Sequence, residues 1–259
     1  MGDLHWKQSI TNIESNKVAL RGYPIDELMG KISYSEGVYL ALRGDLPSSE
    51  VAQVIDAILV SSIDHGATPP SALAAITTAS TGAPLNAALA TGVLSINRYH
   101  GGAIEDAMRT FIEIREVAGE EDLSLEEAVV NVLDRYSAMN RRIMGYGHRI
   151  HSDDPRQKKL FAIARDTGVA GDFVEIAEKV QTALTAQIGK KLPINVDGAI
   201  GALLCDLDFP PELANAFFIM ARIPGLVAHV HEEQVRHKPM RKIHPTDHEY
   251  DGPGERHLK

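Results

Sequence analysis

The sequence predicts an all-α fold, and three observations support that fold class. Apolar residues recur at three- and four-residue intervals along several stretches, which is the period of a helix that buries one face. Aromatic residues make up only 5% of the 259-residue chain, a composition that suits closely packed helices. A convincing alternation of apolar and polar residues, typical of a half-buried strand, is missing from the sequence. One doubtful region, residues 9–25 (SITNIESNKVALRGYPI), could hold a short hairpin.

The first predicted helices have recognisable ends. Residues 48–66 carry an apolar helical stripe that follows a serine cap. Residues 105–119 repeat this pattern, and Gly119 is expected to end the helix. Ser124 and Glu127 have the spacing of a capping box, which predicts that another helix begins there.

The remaining predicted helices include the centre of the core. Residues 171–191 place their apolar side chains on one face. Residues 197–207 and 210–225 are apolar nearly all round, which indicates central, buried helices. Because Arg222 interrupts the second of these, we expect a core helix there rather than a membrane span. The polar, proline-bearing residues 236–259 are expected to form an extended arm.

Charge and cysteine content limit the classes of function. A net charge of −9 at pH 7 argues against a nucleic-acid binder, which would carry a basic face. Local arginines can still bind an anionic substrate. The single cysteine, Cys205, cannot form an internal disulfide, which favours a reducing cytoplasm. Residues 1–10 have no apolar signal-peptide core, so we expect a cytoplasmic location.

The stretch GYGHR, at residues 145–149, combines the residue types of a ligand site. Glycines let the backbone approach a ligand closely and direct the side chain that follows. His148 is then a candidate proton donor near neutral pH. Arg149 and Arg156 could each bind a carboxylate or a phosphate in bidentate fashion. The alternative interpretation is a helix end followed by two solvated arginines.

Two other residues stand out on physical grounds. Asp197 begins an apolar helix, where it is either an N-cap or a desolvated carboxylate basic enough to move a carbon-bound proton. Arg222 lies in an apolar segment, and a buried arginine requires an anionic partner or ligand. His65 and His100 precede glycines, a context that is more often structural than catalytic. The histidine spacings do not match a metal motif, and no phosphate-binding loop for ATP is present.

Five motifs occur in the order and context of one known family. They are RGYPIDELMGKISYSEGVYLALRGDLPS at 21–48, RYHGGAIEDA at 98–107, MGYGHRIHSDDPR at 144–156, NVDGAIGALL at 195–204 and ARIPGLVAHVHEE at 221–233. Together they resemble the citrate synthase superfamily, over about residues 21–250. Within that superfamily, NVDGAIG and GHRI are similar to the citryl-CoA lyase module at the C-terminus of ATP-citrate lyase. The HGG at 100–102 is similar to the synthases.

The resemblance implies a role for each matched residue. Asp197 would exchange a proton with the methyl carbon of acetyl-CoA, and His148 would serve the oxaloacetate carbonyl, which is the tertiary hydroxyl of citrate. His100 would hydrogen-bond the thioester enol. The residues implied to bind the substrate carboxylates are His65, Arg156, Arg222 and an arm cation, Lys238 or Arg241. Those implied to bind coenzyme A are Gly145, Tyr146, Gly147 and Arg149.

The resemblance also implies an architecture and partners. It implies a two-domain helical fold with a shortened large domain, residues 1–101 and 216–259. A small domain, residues 102–215, would move to close the site. A homodimer or higher homo-oligomer is expected, with the helices of residues 65–96 in the interface and the C-terminal arm crossing to the partner. No permanently bound cofactor and no metal are implied; a coenzyme A thioester is the implied substrate.

The leading functional hypothesis is a citryl-CoA lyase, which cleaves citryl-CoA to acetyl-CoA and oxaloacetate by a retro-aldol reaction. One alternative is a small citrate or methylcitrate synthase that runs the condensation. Others are a lyase for a related 3-hydroxy-acyl-CoA such as citramalyl-CoA, and a non-catalytic acyl-CoA-binding paralogue. Without an ATP-binding motif, a lyase would depend on a separate citryl-CoA synthetase. Neither nucleic acid nor a membrane is an expected partner.

Overall fold

The computed structural model describes residues 6–147, 154–241, 249, 251–252 and 254–256, and these are mostly helical. The predicted all-α class is therefore confirmed. The helices are α1 (Ile25–Leu28), α2 (Tyr34–Arg43), α3 (Ser49–Ser61), α4 (Pro70–Ser80), α5 (Leu85–Leu94), α6 (Ala103–Glu120), α7 (Leu125–Ala138), α8 (Pro155–Asp166), α9 (Asp172–Ile188), α10 (Val196–Asp206) and α11 (Ala214–Arg236), with a 3₁₀ turn at Pro211–Leu213.

The doubtful region near the N-terminus does form a hairpin. Strands β1 (Thr11–Glu14), β2 (Lys17–Leu20) and β3 (Tyr23–Pro24) make an antiparallel sheet in that order. Asn16 and Arg21 have positive φ angles of 58° and 51°, in the left-handed conformation that such tight turns use. Because its strands are short, this sheet is a minor part of a mostly helical chain.

The contacts of the chain divide it into two compact units. The first unit contains Met1–Asp64 and Ile96–Ile223, and the second contains His65–Ser95 and Pro224–Lys259. The predicted division into domains at residues 102 and 215 stays a prediction.

Helix α10 is at the centre of the first unit. Nine of its eleven residues are buried, as the all-round apolar pattern predicted. It packs against α6, where Gly201 permits close approach. A Cβ on that glycine would lie 3.3 Å from both Ala107 Cβ and Ile104 O. Helix α9 buries its predicted face against the same core, including Phe173 and Val180. The helix that carries Asp197 is therefore held by neighbours on several sides.

Several predicted helix ends are confirmed, and one is wrong. Ser48 caps α3, and Ser124 with Glu127 forms a complete capping box at the start of α7. Gly119 lies inside α6 instead of ending it. The helix ends instead at Glu120. Asp122, two residues later, adopts a φ of 52°, while Leu123 N–H donates to the Ala118 carbonyl at 3.0 Å. Aspartate is among the few non-glycine residues that tolerate this left-handed position.

A carboxylate from α10 caps the start of α9. The side chain of Asp206 accepts N–H groups from Gly171 at 2.9 Å, Phe173 at 2.9 Å and Val174 at 3.2 Å. Burial raises the pKa of this carboxyl, although the three N–H donors lower it in part. Since the first N–H groups of a helix have no intrahelical acceptor, Asp206 ties α9 to the end of α10.

The second unit is built on α4, α5 and the C-terminal half of α11. Its core contains Ala75, Ala88, Leu226 and other small or aliphatic residues. Gly92 allows close packing, because a Cβ there would lie about 3 Å from several atoms of α4 and α11. Helices α4 and α5 also expose apolar side chains, including Leu94, and their predicted role in a dimer interface stays a prediction.

One described helical stretch, Pro211–Arg236, is long and apolar enough to cross a bilayer by length and composition alone. Core helices meet the same criterion. Phe217 and Leu226 of this stretch are buried inside the protein.

Replacing Asp206 with alanine is expected to lower the free energy of unfolding by about 1–3 kcal/mol, because three backbone N–H groups lose their acceptor. Chemical denaturation measures this change. Asp172→Ala is the matched control, because Asp172 is exposed in the same first turn and makes no such contacts. The control is expected to cost less than about 1 kcal/mol. Equal losses in the two variants would show that Asp206 is not the cap that holds α9.

Candidate active site

The site begins with a short antiparallel pairing of two loop segments. Gly147 donates its N–H to the Pro193 carbonyl at 2.7 Å, and Asn195 donates its N–H to the Gly145 carbonyl at 3.0 Å. This pairing holds the chain that leads into His148 against the loop that precedes α10.

Two glycines make this close approach possible. A Cβ on Gly198 would lie only 2.3 Å from the Gly145 carbonyl oxygen, and a Cβ on Gly145 would lie 2.7 Å from the Gly198 Cα. Gly145 also has a φ of 87°, a conformation that disfavours other residues. These glycines therefore allow the backbone of residue 145 to approach the first turn of α10. Contact of residues 145–147 with coenzyme A stays a prediction.

Tyr146 anchors the same segment through its side chain. Its hydroxyl donates to the Ala177 carbonyl of α9 at 2.9 Å, and its ring meets Phe111 edge-on at 6.4 Å between centroids. Burial raises the pKa of Tyr146 well above its ordinary value, so the phenol stays neutral. The hydroxyl and the ring of Tyr146 are thus both engaged with the core.

Asp197 lies in the first turn of α10 but does not cap it. The N-cap is Asn195, whose Oδ1 accepts the N–H of Gly198 at 3.1 Å. The sequence left open whether Asp197 was an N-cap or a desolvated carboxylate, and the structure excludes the N-cap. Burial raises the pKa of Asp197 from 3.8 to about 6.

Charged neighbours adjust the pKa of Asp197 in both directions. Arg156 and Arg222 lower it, while the carboxylate of Asp154 raises it. The effect of burial is larger than the effect of any of these charges. A carboxyl group with a pKa near 6 can both accept and donate a proton close to neutral pH.

Arg156 is held by a carboxylate that the sequence analysis missed. Asp154 is fully buried and caps α8, accepting the backbone N–H of Arg156 at 3.0 Å. Its two oxygens also receive Nε of Arg156 at 3.0 Å and Nη2 at 2.8 Å. One edge of the guanidinium is therefore occupied. The other edge, with Nη1, makes no hydrogen bond among the described residues, and it can still bind an anion.

Arg222 is buried, as predicted, with only 3% of its surface exposed. Its Nε donates to the Ser62 carbonyl at 3.0 Å, and its guanidinium lies 4.8 Å from the centre of the Phe218 ring. Burial lowers the pKa of Arg222, whereas the charges of Asp64 and Asp197 raise it. Within the described part of the chain, its two terminal nitrogens have no hydrogen-bond acceptor. They can therefore bind a ligand carboxylate.

Phe218 connects Arg222 with His100. The His100 ring meets the Phe218 ring edge-on, with centroids 5.4 Å apart. Gly101 fits against the same ring, since a Cβ there would lie 2.7 Å from Phe218 Cδ1. Sequence reasoning missed Phe218, although its position four residues before Arg222 on one helix face was a usable signal.

A cavity of about 340 Å³ opens beside Met144, just before the glycine segment. Three arginines line it, Arg98, Arg141 and Arg142, together with one carboxylate, Asp106. Among the described residues these arginines form no ion pair within 4 Å. The cavity therefore carries an excess of positive charge.

The structure does not describe every predicted site residue. His148 and Arg149 lie outside the described residues. His65, Lys238 and Arg241 belong to the second unit. There the guanidinium of Arg241 pairs with the buried carboxylate of Glu233. The roles predicted for these five residues stay predictions. No group of three or more potential metal ligands is found among the described residues.

Comparison with known proteins identifies the family of the chain. The family described as Citrate synthase, C-terminal domain, matches residues 47–246, which is most of the chain. The chain belongs to the citrate synthase family. The resemblance predicted from the five motifs is thereby confirmed.

The citrate synthase relatives include proteins of several sizes. ATP-citrate synthase beta chain protein 1 of Oryza sativa subsp. japonica is 31% identical over 94% of this chain, which spans 41% of that relative's length. The structure of citryl-CoA lyase from Hydrogenobacter thermophilus is 41% identical, with a TM-score of 0.89 over 98% of this chain and 97% of that one. ATP citrate lyase from Methanothrix soehngenii, solved with citrate and coenzyme A, has a TM-score of 0.84 at 26% identity, over 98% of this chain and 43% of that one.

Replacing Asp197 with asparagine is expected to stabilise the protein at pH 7 by about 1–3 kcal/mol. The folded-state pKa is raised from 3.8 to about 6, so the folded protein binds this proton more tightly than the unfolded chain does. The stability that the proton confers is present below about pH 4 and is lost as the pH rises to 6. The neutral amide of asparagine avoids that loss of stability at pH 7. The stabilisation relative to wild type should therefore disappear at pH 4.

Denaturation at pH 4 and pH 7 measures this difference. Asp56→Asn, at an exposed position on α3, is the control and should change stability by less than about 0.5 kcal/mol at either pH. A loss of stability in Asp197→Asn at pH 7 would contradict the desolvated carboxylate.

Proposed function

We propose that this chain is a citryl-CoA lyase, which cleaves citryl-CoA to acetyl-CoA and oxaloacetate. The observation that carries the proposal is Asp197, a carboxyl group with a pKa of about 6 in the electrostatic field of Arg156 and Arg222. Carbon–carbon cleavage beside a thioester needs a group that delivers a proton to carbon, and a dianionic acid needs fixed cations. The end-to-end likeness to the Hydrogenobacter citryl-CoA lyase supports the same activity.

The reaction begins at the tertiary hydroxyl of citryl-CoA. A base, assigned to His148, removes the hydroxyl proton as the bond between the hydroxyl-bearing carbon and the thioester's methylene carbon breaks. The hydroxyl-bearing carbon becomes the carbonyl of oxaloacetate, and the electron pair moves to the thioester as an enolate. Asp197, in its acid form, then protonates the methylene carbon to complete acetyl-CoA. A pKa near 6 leaves a useful fraction of this acid form at neutral pH.

The enolate oxygen needs a hydrogen-bond donor while it carries charge. We assign this task to His100. The edge-on contact with Phe218 supports the assignment, because it restricts the orientation of the imidazole.

The two arginines suit the two free carboxylates of the substrate. Citryl-CoA retains two carboxylates after one carboxylate of citrate becomes the thioester. The terminal nitrogens of Arg222 and the outer edge of Arg156 provide one guanidinium for each. Arg222 is the stronger contributor in this proposal, because its burial keeps the contact away from competing water.

The arginine-lined cavity suits the phosphates of coenzyme A. Arg98, Arg141 and Arg142 bring three guanidinium groups to one opening, and phosphate groups are favoured partners of such clusters. The opening lies next to residues 145–147, which the family resemblance assigns to coenzyme A. Both features support the proposal that the coenzyme binds along one side of the glycine segment.

Condensation is the second candidate function. The HGG sequence at residues 100–102 favours it, since this form resembles the synthases. A lyase for another 3-hydroxy-acyl-CoA such as citramalyl-CoA uses the same chemistry. A non-catalytic acyl-CoA-binding paralogue is less well supported, because Asp197 and Arg222 retain the properties that catalysis needs. We further propose a cytoplasmic homodimer or higher oligomer that receives citryl-CoA from a separate synthetase.

Purified protein is expected to release oxaloacetate rapidly from citryl-CoA. Given acetyl-CoA and oxaloacetate instead, it should form negligible free citrate. Chromatographic detection of both acids distinguishes the reactions. Efficient citrate formation with release of coenzyme A would replace the lyase with a synthase.

Asp197→Asn serves as the active-site control in the same assay. Turnover is expected to fall by about 10²–10⁴-fold, because the amide keeps the shape and loses the transferable proton. Oxaloacetate binding should persist. Asp56→Asn, on the exposed face of α3, should keep full turnover.

Replacing Arg141 and Arg142 together with alanine is expected to raise KM for citryl-CoA by about tenfold or more, since contacts with phosphates are lost. The same thioester on pantetheine, which has no phosphates, should show similar KM values with wild type and variant. Equal increases in KM for the two substrates would show that the cavity does not bind the phosphates of coenzyme A.

A further inference from the structure

The side chain of Asn195 makes two hydrogen bonds of opposite kinds. Oδ1 accepts the N–H of Gly198 at 3.1 Å, and Nδ2 donates to the Gly147 carbonyl at 2.9 Å. Exchanging the amide oxygen and nitrogen would set donor against donor at Gly198 and acceptor against acceptor at Gly147. The orientation of this amide is therefore fixed by its surroundings.

The Gly147 carbonyl belongs to the peptide unit that leads into His148. Because a peptide unit is planar, a hydrogen bond to its oxygen restricts the direction in which the chain continues. Gly147 has a φ of 82° and no side chain to limit its rotation. A nearby donor is consequently needed to hold this peptide in one orientation, and Asn195 provides it.

The other end of the Asn195 amide acts on the helix that carries Asp197. Gly198 belongs to the first turn of α10, one residue after Asp197, and its N–H has no intrahelical acceptor. A single side chain therefore holds both the start of this helix and the peptide before His148.

We propose that Asn195 is a positioning residue that sets the chain entering His148 in register with Asp197. The proposal rests on the proposed function for the roles of those two residues. In the proposed cleavage, His148 takes the proton of the hydroxyl on one carbon of the breaking bond and Asp197 protonates the other carbon, so the positions of both residues must match the substrate. A misplacement of about 1 Å can lower a rate by about 10²-fold. The competing explanation is that Asn195 only caps a helix.

Three variants separate these explanations. Asn195→Ser keeps a good capping oxygen but is too short to reach the Gly147 carbonyl. Asn195→Asp keeps both the shape and the capping oxygen, but it presents an acceptor to that carbonyl instead of a donor. Asn195→Ala removes both contacts. Ser124→Ala removes the cap at the start of α7, the end of that helix opposite to Arg141, and is the matched control for the loss of a helix cap.

The decisive comparison sets thermal stability against kcat for citryl-CoA cleavage. Ser and Asp should restore most of the melting temperature that Ala loses, yet both should remain about 10–100-fold below wild type in kcat. Ser124→Ala should lower the melting temperature without lowering kcat at a temperature where it is folded. Recovery of kcat to within about threefold of wild type in Ser or Asp would overturn the proposal, because capping alone would then be sufficient.

Hydrogen exchange provides a readout that does not depend on the reaction. Backbone amides in the peptide covering residues 144–149 should exchange faster in both Asn195→Ser and Asn195→Asp than in wild type, while Ser124→Ala leaves them unchanged. If wild type cleaves no citryl-CoA but this exchange pattern holds, the proposed function is wrong, while the role of Asn195 in holding this segment is still supported. If exchange is unchanged in both Asn195 variants, the positioning role is overturned whatever the enzyme catalyses.

Discussion

The contact between the backbones of Gly145 and Gly198 is the constraint on which the site depends. It brings a loop and a helix start to a distance that no side chain other than hydrogen allows. The hydrogen bonds from Gly147 to Pro193 and from Asn195 to Gly145 form only at that distance. A methyl group at either glycine would separate the segment of Gly145 from the helix that carries Asp197. Close packing makes such a displacement costly, because buried α10 has little room to shift.

Alternating charges surround Asp197. Asp154 holds Arg156, while Arg222 lies in the field of both Asp64 and Asp197. A buried carboxylate in this setting keeps a raised pKa because two arginines offset only part of its lost hydration. A bound dicarboxylate would add negative charge next to the same arginines. Its field would raise the pKa of Asp197 further, which would favour the acid form that the proposed cleavage requires.

The surrounding helices explain why this arrangement is stable. Helix α10 is buried on nearly every side, and Asp206 at its far end ties it to α9. Tyr146 adds a second link to α9 through its hydroxyl. Asp197 therefore lies on a helix that is fixed at both ends, and such rigidity suits the proposed proton transfer because the distance to carbon must be short.

The sequence by itself determined the local interactions. The capping box of Ser124 and Glu127 and the all-round apolar pattern of α10 depend on residues within a few positions of one another, and both predictions were confirmed. The motifs also determined the family. Even the burial of Arg222 followed from the apolar residues on either side of it.

Tertiary structure alone decided the interactions between distant segments. It placed Asp206 on the first turn of α9, joined the Asn195 side chain to the Gly147 carbonyl, and brought Arg156 and Arg222 into the field of Asp197. Spacing in the sequence cannot show these results, because the pKa of a carboxyl group depends on how many atoms exclude water from it and on which charges lie near it. Those atoms come from helices that are far apart along the chain and meet only when it folds.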